Sequence, residues 1–353
     1  MDGYALRAAD ARPGARLKVI GESAAGHPFA GRVGPGEAVR IFTGAAVPAG
    51  ADAILVQEEA RREGDVVIVG GDVTAGRHIR RAGGDFREGE VVLAAGTQLC
   101  VRHLALAAAA DHAELPVVRR PRVKIFATGD ELRPAGGAAQ PGGIVDSNGP
   151  ALAVMLRAAG AEIVERAILR DEERAIRRLA AAARDADLVV TIGGVSVGDR
   201  DLVRRLLPDH GFETAFWRIA IKPGKPLLFG RVGTTPLIGL PGNPVSALIT
   251  ARLFVVPALL RLQGVPPAAA EPVFTLAVLA ADMPANGPRQ AYVRAALGCE
   301  DGRALARPLA VQDSAHLSSL AAAGALIRRP PHAPAAAAGQ PVPVLPLVAA
   351  ETL

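Results

Sequence analysis

Leu188-Val189-Val190-Thr191-Ile192-Gly193-Gly194-Val195-Ser196-Val197-Gly198 is a short apolar run that ends in a glycine cluster. It reads as a strand entering a turn, with a helix from about Leu202. Working outward, Val123–Phe126 is predicted as a strand, Gly149–Ala159 as a helix, Glu162–Leu169 as a strand and Glu172–Arg184 as a helix. On the other side, strands are expected near Glu213–Ile221 and Pro226–Phe229, then a helix over Pro244–Leu262. Alternation of this kind predicts a three-layer α/β domain with a mostly parallel sheet, placed at residues 121–265.

The flanks differ. Residues 1–90 hold short apolar runs (Ala38–Phe42, Ala53–Val56, Val66–Val69) bounded by Gly, Pro or Asp, which predict a β-rich domain. Residues 91–120 contain an alanine-rich helix, Leu99–His112. Residues 266–353 carry strand-like Val273–Leu279, Ala291–Leu297, Leu305–Ala310 and Val344–Val348, with prolines suited to edges and turns. They are expected to form a small C-terminal β domain, and the Pro330–Ala338 tract a loop. A chain of 353 residues is long enough for several cores.

Net charge is +5, from 40 Lys+Arg against 35 Asp+Glu, and aromatics make up 3%. Anionic ligands are permitted, but the basic residues are scattered and few rings exist to stack on bases, so nucleic acid is not expected. Cys100 and Cys299 stand far apart without metal-ligand spacing, which predicts a reducing, cytoplasmic setting. No signal peptide is visible. The apolar stretch Leu248–Leu262 is interrupted by Arg252 and Pro257, so it reads as a core helix rather than a membrane span.

Chemistry concentrates in four places. Glycines Gly193, Gly194 and Gly198 let backbone N–H groups approach a ligand, Ser196 adds a hydroxyl, and the following helix start favours negative charge. A second turn, Leu240–Ser246, contains Gly242, sets Asn243 as a helix cap with Pro244 at the first helical position, and opens what is expected to be an exposed helix start. Between them, Lys222 and Lys225 sit on a Pro-Gly frame and suit an oxyanion. Acidic groups follow strand ends: Asp130 and Glu131 after Thr128-Gly129, Asp146 ahead of Ser147-Asn148, and Asp199 and Asp201 after the glycine loop. Carboxylates beside a phosphate make sense when a divalent cation, naturally Mg2+, bridges them. Asp146 and Ser147 are equally suited to helix capping, and Asp199 and Asp201 to the first turn of a helix.

Together with Met1–Ala5, Phe42–Ala45, Arg80–Asp85 and Gly239–Ser246, these stretches resemble the molybdopterin molybdenumtransferase family, whose eukaryotic counterpart is the gephyrin E domain. The resemblance spans essentially the whole chain. It implies that adenylylated molybdopterin and molybdate bind, a pyrophosphate bond is hydrolysed, AMP leaves and molybdenum enters the dithiolene. It implies that Asp201 is the catalytic aspartate, sharing a metal with Glu131. Ser196 and its glycines would hold the molybdopterin phosphate, with Asp146, Ser147, Asn148 and Asp171 as further cofactor contacts. Lys222, Lys225, Ser246 and Arg294 would meet the oxyanion or molybdate, and Ser314 and Ser318 match a C-terminal serine motif. Asp2, Thr43 and Asp85 would face the α/β domain of a second subunit, so a homodimer is implied; turn chemistry is their competing explanation. Relatives carry a further helical segment ahead of Asp2, expected to support the Leu99–His112 helix.

Two other readings share features with this one. Molybdopterin adenylyltransferase, itself a candidate partner, has the same glycine-loop pattern but is a single domain, which the flanking β domains and the Asp2 and Thr43 motifs disfavour. A dimeric, non-catalytic scaffold of the gephyrin type would keep the fold without turnover.

Overall fold

The computed structural model describes residues 1–195, 203 and 206–347, which fall into two compact units, 1–92 and 93–353. The first unit is a six-stranded sheet. Its strands are β1 (Gly3–Leu6), β2 (Arg16–Ser23), β3 (Glu37–Ile41), β4 (Ala53–Val56), β5 (Ala60–Glu63) and β6 (Val66–Val69), in the order β4-β1-β3-β2-β6-β5. Leu6, Leu17, Leu55, Val67 and Val69 form its core. Strands β3, β4 and β6 match the expected apolar runs. Strand β1 is central and wholly buried, and β5 is a largely exposed polar edge, so neither shows the alternation that marks a half-buried strand.

The second unit opens with helix α1 (Val101–Ala109) and contains the three-layer domain. Its sheet is built from β7 (Arg122–Thr128), β10 (Glu162–Leu169), β11 (Leu188–Ile192), β12 (Phe212–Trp217), β14 (Leu228–Val232) and β15 (Thr235–Leu240), ordered β10-β7-β11-β15-β14-β12. The pairs β10–β7, β7–β11 and β11–β15 are parallel, and β14 runs antiparallel to both of its neighbours. Between β7 and β10 a small parallel pair, β8 (Leu132–Arg133) with β9 (Ile144–Val145), stands off the sheet. Helix α2 (Asn148–Ala158) covers one face, where Leu152 and Leu156 meet Val123, Ile125, Val190 and Leu240. Helix α3 (Glu173–Ala182) covers the other, where Ile176 and Leu179 meet Phe126 and Val189. Strand β15 was not anticipated as an element of its own, because Pro236 and Gly239 obscure it.

Helix α4 (Pro244–Leu262) lies beside α2, with Ala247, Ala251, Val255 and Leu259 in the same core. It widens to a π-turn over Ala251–Val255, just ahead of Pro257, whose ring removes a donor and crowds the preceding turn. Among the described residues this is the one helix long and apolar enough to cross a membrane, with mean hydropathy 1.8. Its apolar face is used in the α/β core.

The rest of the unit is a β domain of β13 (Ile221–Lys222), β16 (Thr275–Leu279), β17 (Gln290–Glu300), β18 (Arg303–Pro308), β19 (Ala325–Arg329) and β20 (Pro341–Pro346). The order is β13-β17-β18-β16-β20-β19, and β19 pairs back onto β17, so five strands close into a small barrel with β13 added to β17. The expected Val344–Val348 strand lies earlier, at β20, and Val348 is outside the described residues. Strand β19 went unforeseen, since Ala325–Arg329 ends in two arginines.

The turn after β13 is seated on α4. Gly224 has φ +106°, and a Cβ there would stand 2.3 Å from Thr250 Cγ2. Thr250 cannot rotate freely, because its hydroxyl donates to the Ser246 and Ala247 carbonyls at 2.6 and 3.1 Å. Gly224→Ala is expected to lower stability by roughly 2 kcal/mol or more, from left-handed backbone strain and overpacking. Urea unfolding measures it; an unchanged midpoint would show that the turn is not seated there.

Asp187 staples the starts of two strands. It accepts from both Arg119 Nη atoms, at 2.6 and 2.7 Å, and from the Arg122 N–H at 2.7 Å. The Arg119 hydrogen bonds, ahead of the Arg122 amide, hold its carboxyl below the usual carboxylate range despite opposing burial. A depressed folded pKa gives stability that is present above the unfolded value, near 4, and lost as pH falls through the folded value. Asp187→Asn should therefore cost about 1 kcal/mol at neutral pH, screened by the exposed Arg119, and the gap should close in acid. Parallel denaturation curves at neutral and acidic pH test this, and a gap that persists in acid contradicts it.

Candidate active site

Because β7, β11 and β15 are parallel, their carboxyl ends Thr128, Ile192 and Leu240 open on one edge of the sheet. Ligands of open α/β sheets bind at that edge. A cleft of about 630 Å³ lies there, walled by Gly129, Glu131, Ser147, Asn148, Gly193, Gly194, Gly242 and Asn243 among others. The two glycine turns converge: the Gly193 N–H donates to the Leu240 carbonyl at 3.0 Å, and a Cβ on Gly242 would lie 3.8 Å from Gly193 Cα.

The glycines are required by space as well as by backbone angle. Gly193 and Gly194 have φ of +88° and +67°, and added Cβ atoms would stand 2.8 Å from the Thr128 carbonyl oxygen and 2.6 Å from Val203 Cγ2. Side chains are barred, which leaves backbone amides to line this part of the cleft. Trp217 Nε1 donates to the Val195 carbonyl at 2.8 Å, fixing the end of the described turn. Ser196, Gly198, Asp199 and Asp201, with the expected helix start at Leu202, lie outside the described residues.

The capping question at α2 resolves in favour of Asp146. Its Oδ1 accepts from the Gly149 N–H at 2.8 Å, while Arg166 Nη1 stands 3.4 Å from Oδ2. Ser147, at the cap position, makes no capping bond and stays exposed in the cleft wall. Asn148 Nδ2 donates to the Gly242 carbonyl at 2.8 Å, joining the α2 start to the second glycine turn. Its Oδ1 is buried without a partner.

Glu131 and Asp171 complete the acidic side. The Glu131 backbone carbonyl accepts from Ile144 at 2.8 Å through the β8–β9 pair, and its carboxylate lies over Gly129, where a Cβ would meet Oε2 at 2.6 Å. The Asp171 N–H donates to Asp130 Oδ1 at 3.2 Å. Among the described residues no group of three His, Cys, Asp or Glu is arranged to hold a metal ion. The described donors therefore do not make an Mg2+ site by themselves, and Asp201, the expected partner of Glu131, lies beyond them.

At α4 the helix start is exposed in the cleft at Gly242 and Asn243, as expected, but the expected side-chain cap is not made. Asn243 occupies the cap position but its side chain caps nothing; Nδ2 donates to Ser314 Oγ at 3.1 Å. The Val245 N–H donates to the Ser314 carbonyl at 3.1 Å, so the β domain occupies one of the free donors. Ser246 is buried inside α4 and does not line the cleft, and Ser318 is exposed on a short helix away from it. Arg294, only 2% exposed, lies beneath the serine loop. It bonds the His316 carbonyl at 3.4 Å and the Gln312 side chain. Burial lowers its pKa, opposed by the charge of Asp313.

The lysine turn is divided. Pro226 reaches the main cleft, Lys222 lines a separate, smaller one, and the exposed Lys225 is in neither wall. In the first unit Asp2 and Thr43 do come together: Asp2 Oδ1 accepts from both the Thr43 N–H and Oγ1 at 2.9 Å. Those two bonds, the backbone one first, hold the Asp2 carboxyl below its ordinary range. The two residues are 41 apart in sequence, so this is a tertiary link between the start of β1 and the end of β3 and not a local turn. Asp85 is exposed in the loop after Gly83-Gly84. Arg166 and Trp217 were not singled out from sequence, because their roles arise from contacts between distant segments.

A parallel α/β sheet with paired glycine turns at its carboxyl edge, flanked along the chain by two β-rich regions, has the form of a multidomain protein whose cleft suits a phosphate-bearing small molecule. Family models match in the same order: the MoeA N-terminal region (domain I and II) over residues 1–110, a probable molybdopterin binding domain over 124–261, and the MoeA C-terminal region (domain IV) over 276–347. A molybdopterin molybdenumtransferase from Nostoc sp. is 36% identical over 311 residues, covering 86% of this chain and 71% of its own length. Molybdopterin molybdenumtransferase 2 of Mycobacterium tuberculosis is 38% identical over 354 residues, covering 96% of this chain and 85% of its own. Two solved structures of a molybdopterin biosynthesis MoeA protein from Pyrococcus horikoshii superimpose with TM-scores of 0.80 and 0.79 at 30% identity, covering 98% of this chain and 86% of theirs. The chain belongs to the molybdopterin molybdenumtransferase family of molybdenum-cofactor biosynthesis.

The Asn148 link is testable. Asn148→Ala should cost roughly 1 kcal/mol of stability, and Asn148→Asp more, because a carboxylate would face the Gly242 carbonyl. Chemical denaturation of both variants checks the order, and an Asp variant as stable as the parent would mean that the link is not made.

Proposed function

We propose that this chain inserts molybdenum from molybdate into adenylylated molybdopterin, releasing AMP. The observation that carries the reading is the convergence of the Gly193 and Gly242 turns on one cleft, where glycine leaves backbone open to a phosphate; the Gly193 N–H is taken by Leu240, so the amides that suit it begin at Gly194. Gly193, Gly194 and Ser196 hold the molybdopterin phosphate, and Ser147 and Asn148 orient the guest from the α2 side. Hydrolysis takes one water across the pyrophosphate P–O–P link, leaving AMP and the terminal phosphate of molybdopterin. Asp201 positions that water, and Glu131 with Asp201 would hold Mg2+, which would supply positive charge to offset that of the phosphates.

Lys222, Lys225 and Arg294 serve the molybdate. Asp2 and Thr43, rigidly bonded to each other, face the cleft of a second copy, so the working form is a homodimer. Molybdopterin adenylyltransferase is the natural supplier of the adenylylated substrate. Two free cysteines fit a reducing cytoplasm.

Purified protein given adenylylated molybdopterin, molybdate and Mg2+ should release AMP, and chelation should stop it. Asp201→Asn should slow release roughly 100-fold or more while substrate still binds. Undiminished release in that variant removes the assignment of Asp201, and turnover that needs ATP and bare molybdopterin points to adenylyl transfer instead.

A further inference from the structure

Arg218 follows β12 in a backbone conformation that does not suit it. Its φ is +73°, in the left-handed region where a Cβ crowds the carbonyl that follows, and glycine would take the same angle without strain. Little in the fold offsets this. The exposed guanidinium makes no ion pair or hydrogen bond among the described residues and rests on the Trp217 ring, with Cζ 3.8 Å from the centroid. Stacking of this kind leaves the N–H edge of the guanidinium open to an acceptor. A strained residue whose side chain is held but unpaired marks a position kept for binding.

The α/β sheet puts that cation beside the main cleft. Trp217 ends β12 and lies in register, through Leu228, with Gly239 near the carboxyl end of β15. Its Nε1 holds the Val195 carbonyl, and Val195 packs over Gly239, where a Cβ would stand 2.6 Å from Cγ1. The Arg218 N–H donates to the Leu227 carbonyl at 3.0 Å, next to Pro226. Val195 and Pro226 both belong to the cleft wall, and Arg218 stands just outside it, between them. A guanidinium already stacked on a ring has less side-chain freedom left to lose when it meets a ligand.

The substrate proposed above carries two phosphoryl groups. One is seated at the glycine turns, and the other, joined to adenosine and leaving as AMP, needs a partner farther out. We infer that Arg218 is a further substrate-binding residue, which meets the adenylyl phosphate at the cleft rim through its open N–H edge. This rests on the proposed reaction only for the identity of the ligand.

Equilibrium dialysis of the full chain against labelled AMP, with tryptophan emission followed in parallel, tests the contact without turnover, since Trp217 is the only tryptophan in the sequence. Saturable binding that changes the emission is expected, weakened roughly tenfold or more in Arg218→Gly and partly restored in Arg218→Lys. Arg218→Gly also relieves the backbone, so its melting temperature should stay within a few degrees of the parent's; a merely structural arginine would lower it and leave AMP affinity alone. Adenosine, which lacks the phosphate, should lose no affinity in the variant. No saturable AMP binding by the parent, binding that leaves the emission unchanged, parental AMP affinity in Arg218→Gly, or an equal loss for adenosine overturns the inference. A parent that binds AMP through Arg218 yet releases none from the adenylylated substrate keeps it and removes the proposed reaction.

Discussion

The constraint on which the site depends is the parallel pairing of β7, β11 and β15. Parallel strands point their carboxyl ends the same way, so the turns after Ile192 and Leu240 are forced together although Leu240 lies 48 positions beyond Ile192. Once adjacent, the first turn has room only for glycine: a Cβ at Gly193 or Gly194 would collide with Thr128 or Val203. With glycine at both positions, backbone forms this part of the cleft. Pairing of strands, choice of residue and chemistry are thus one requirement.

Around that floor, the walls are held by single polar links. Asp146 secures the start of α2, Asn148 ties it to Gly242, Trp217 anchors Val195, and Ser314 closes on Asn243 and Val245. Each link crosses between segments remote in sequence, so the cleft is a product of tertiary contacts rather than of any one loop. The C-terminal β domain takes part directly, because its serine loop meets the α4 start and Arg294 supports that loop from below. The same domain takes Lys222 into its own sheet, opposite Ala291 of β17.

Residue type alone settled a good deal. The alternation of apolar runs with helical periods from Val123 to Leu262 required helices on both faces of a largely parallel sheet, since apolar strand residues must be covered. The glycine clusters marked where backbone would be exposed, because few other residues occupy those angles. Several motifs in one order carried the family resemblance. What remained hidden was set by neighbours absent from local sequence: β1 is buried on both faces, β5 and β19 carry charge, and β15 contains Pro236, so their pairing partners alone define them as strands. Capping by Asp146 instead of Ser147, the bonds of Ser314 to Asn243 and Val245, the burial of Ser246, and the separation of Lys222 from the main cleft are likewise distance relations. A chain fixes which groups are available and which backbone angles are tolerated; only folding fixes which groups meet, because hydrogen bonds and packing act over a few ångströms of space rather than along the sequence.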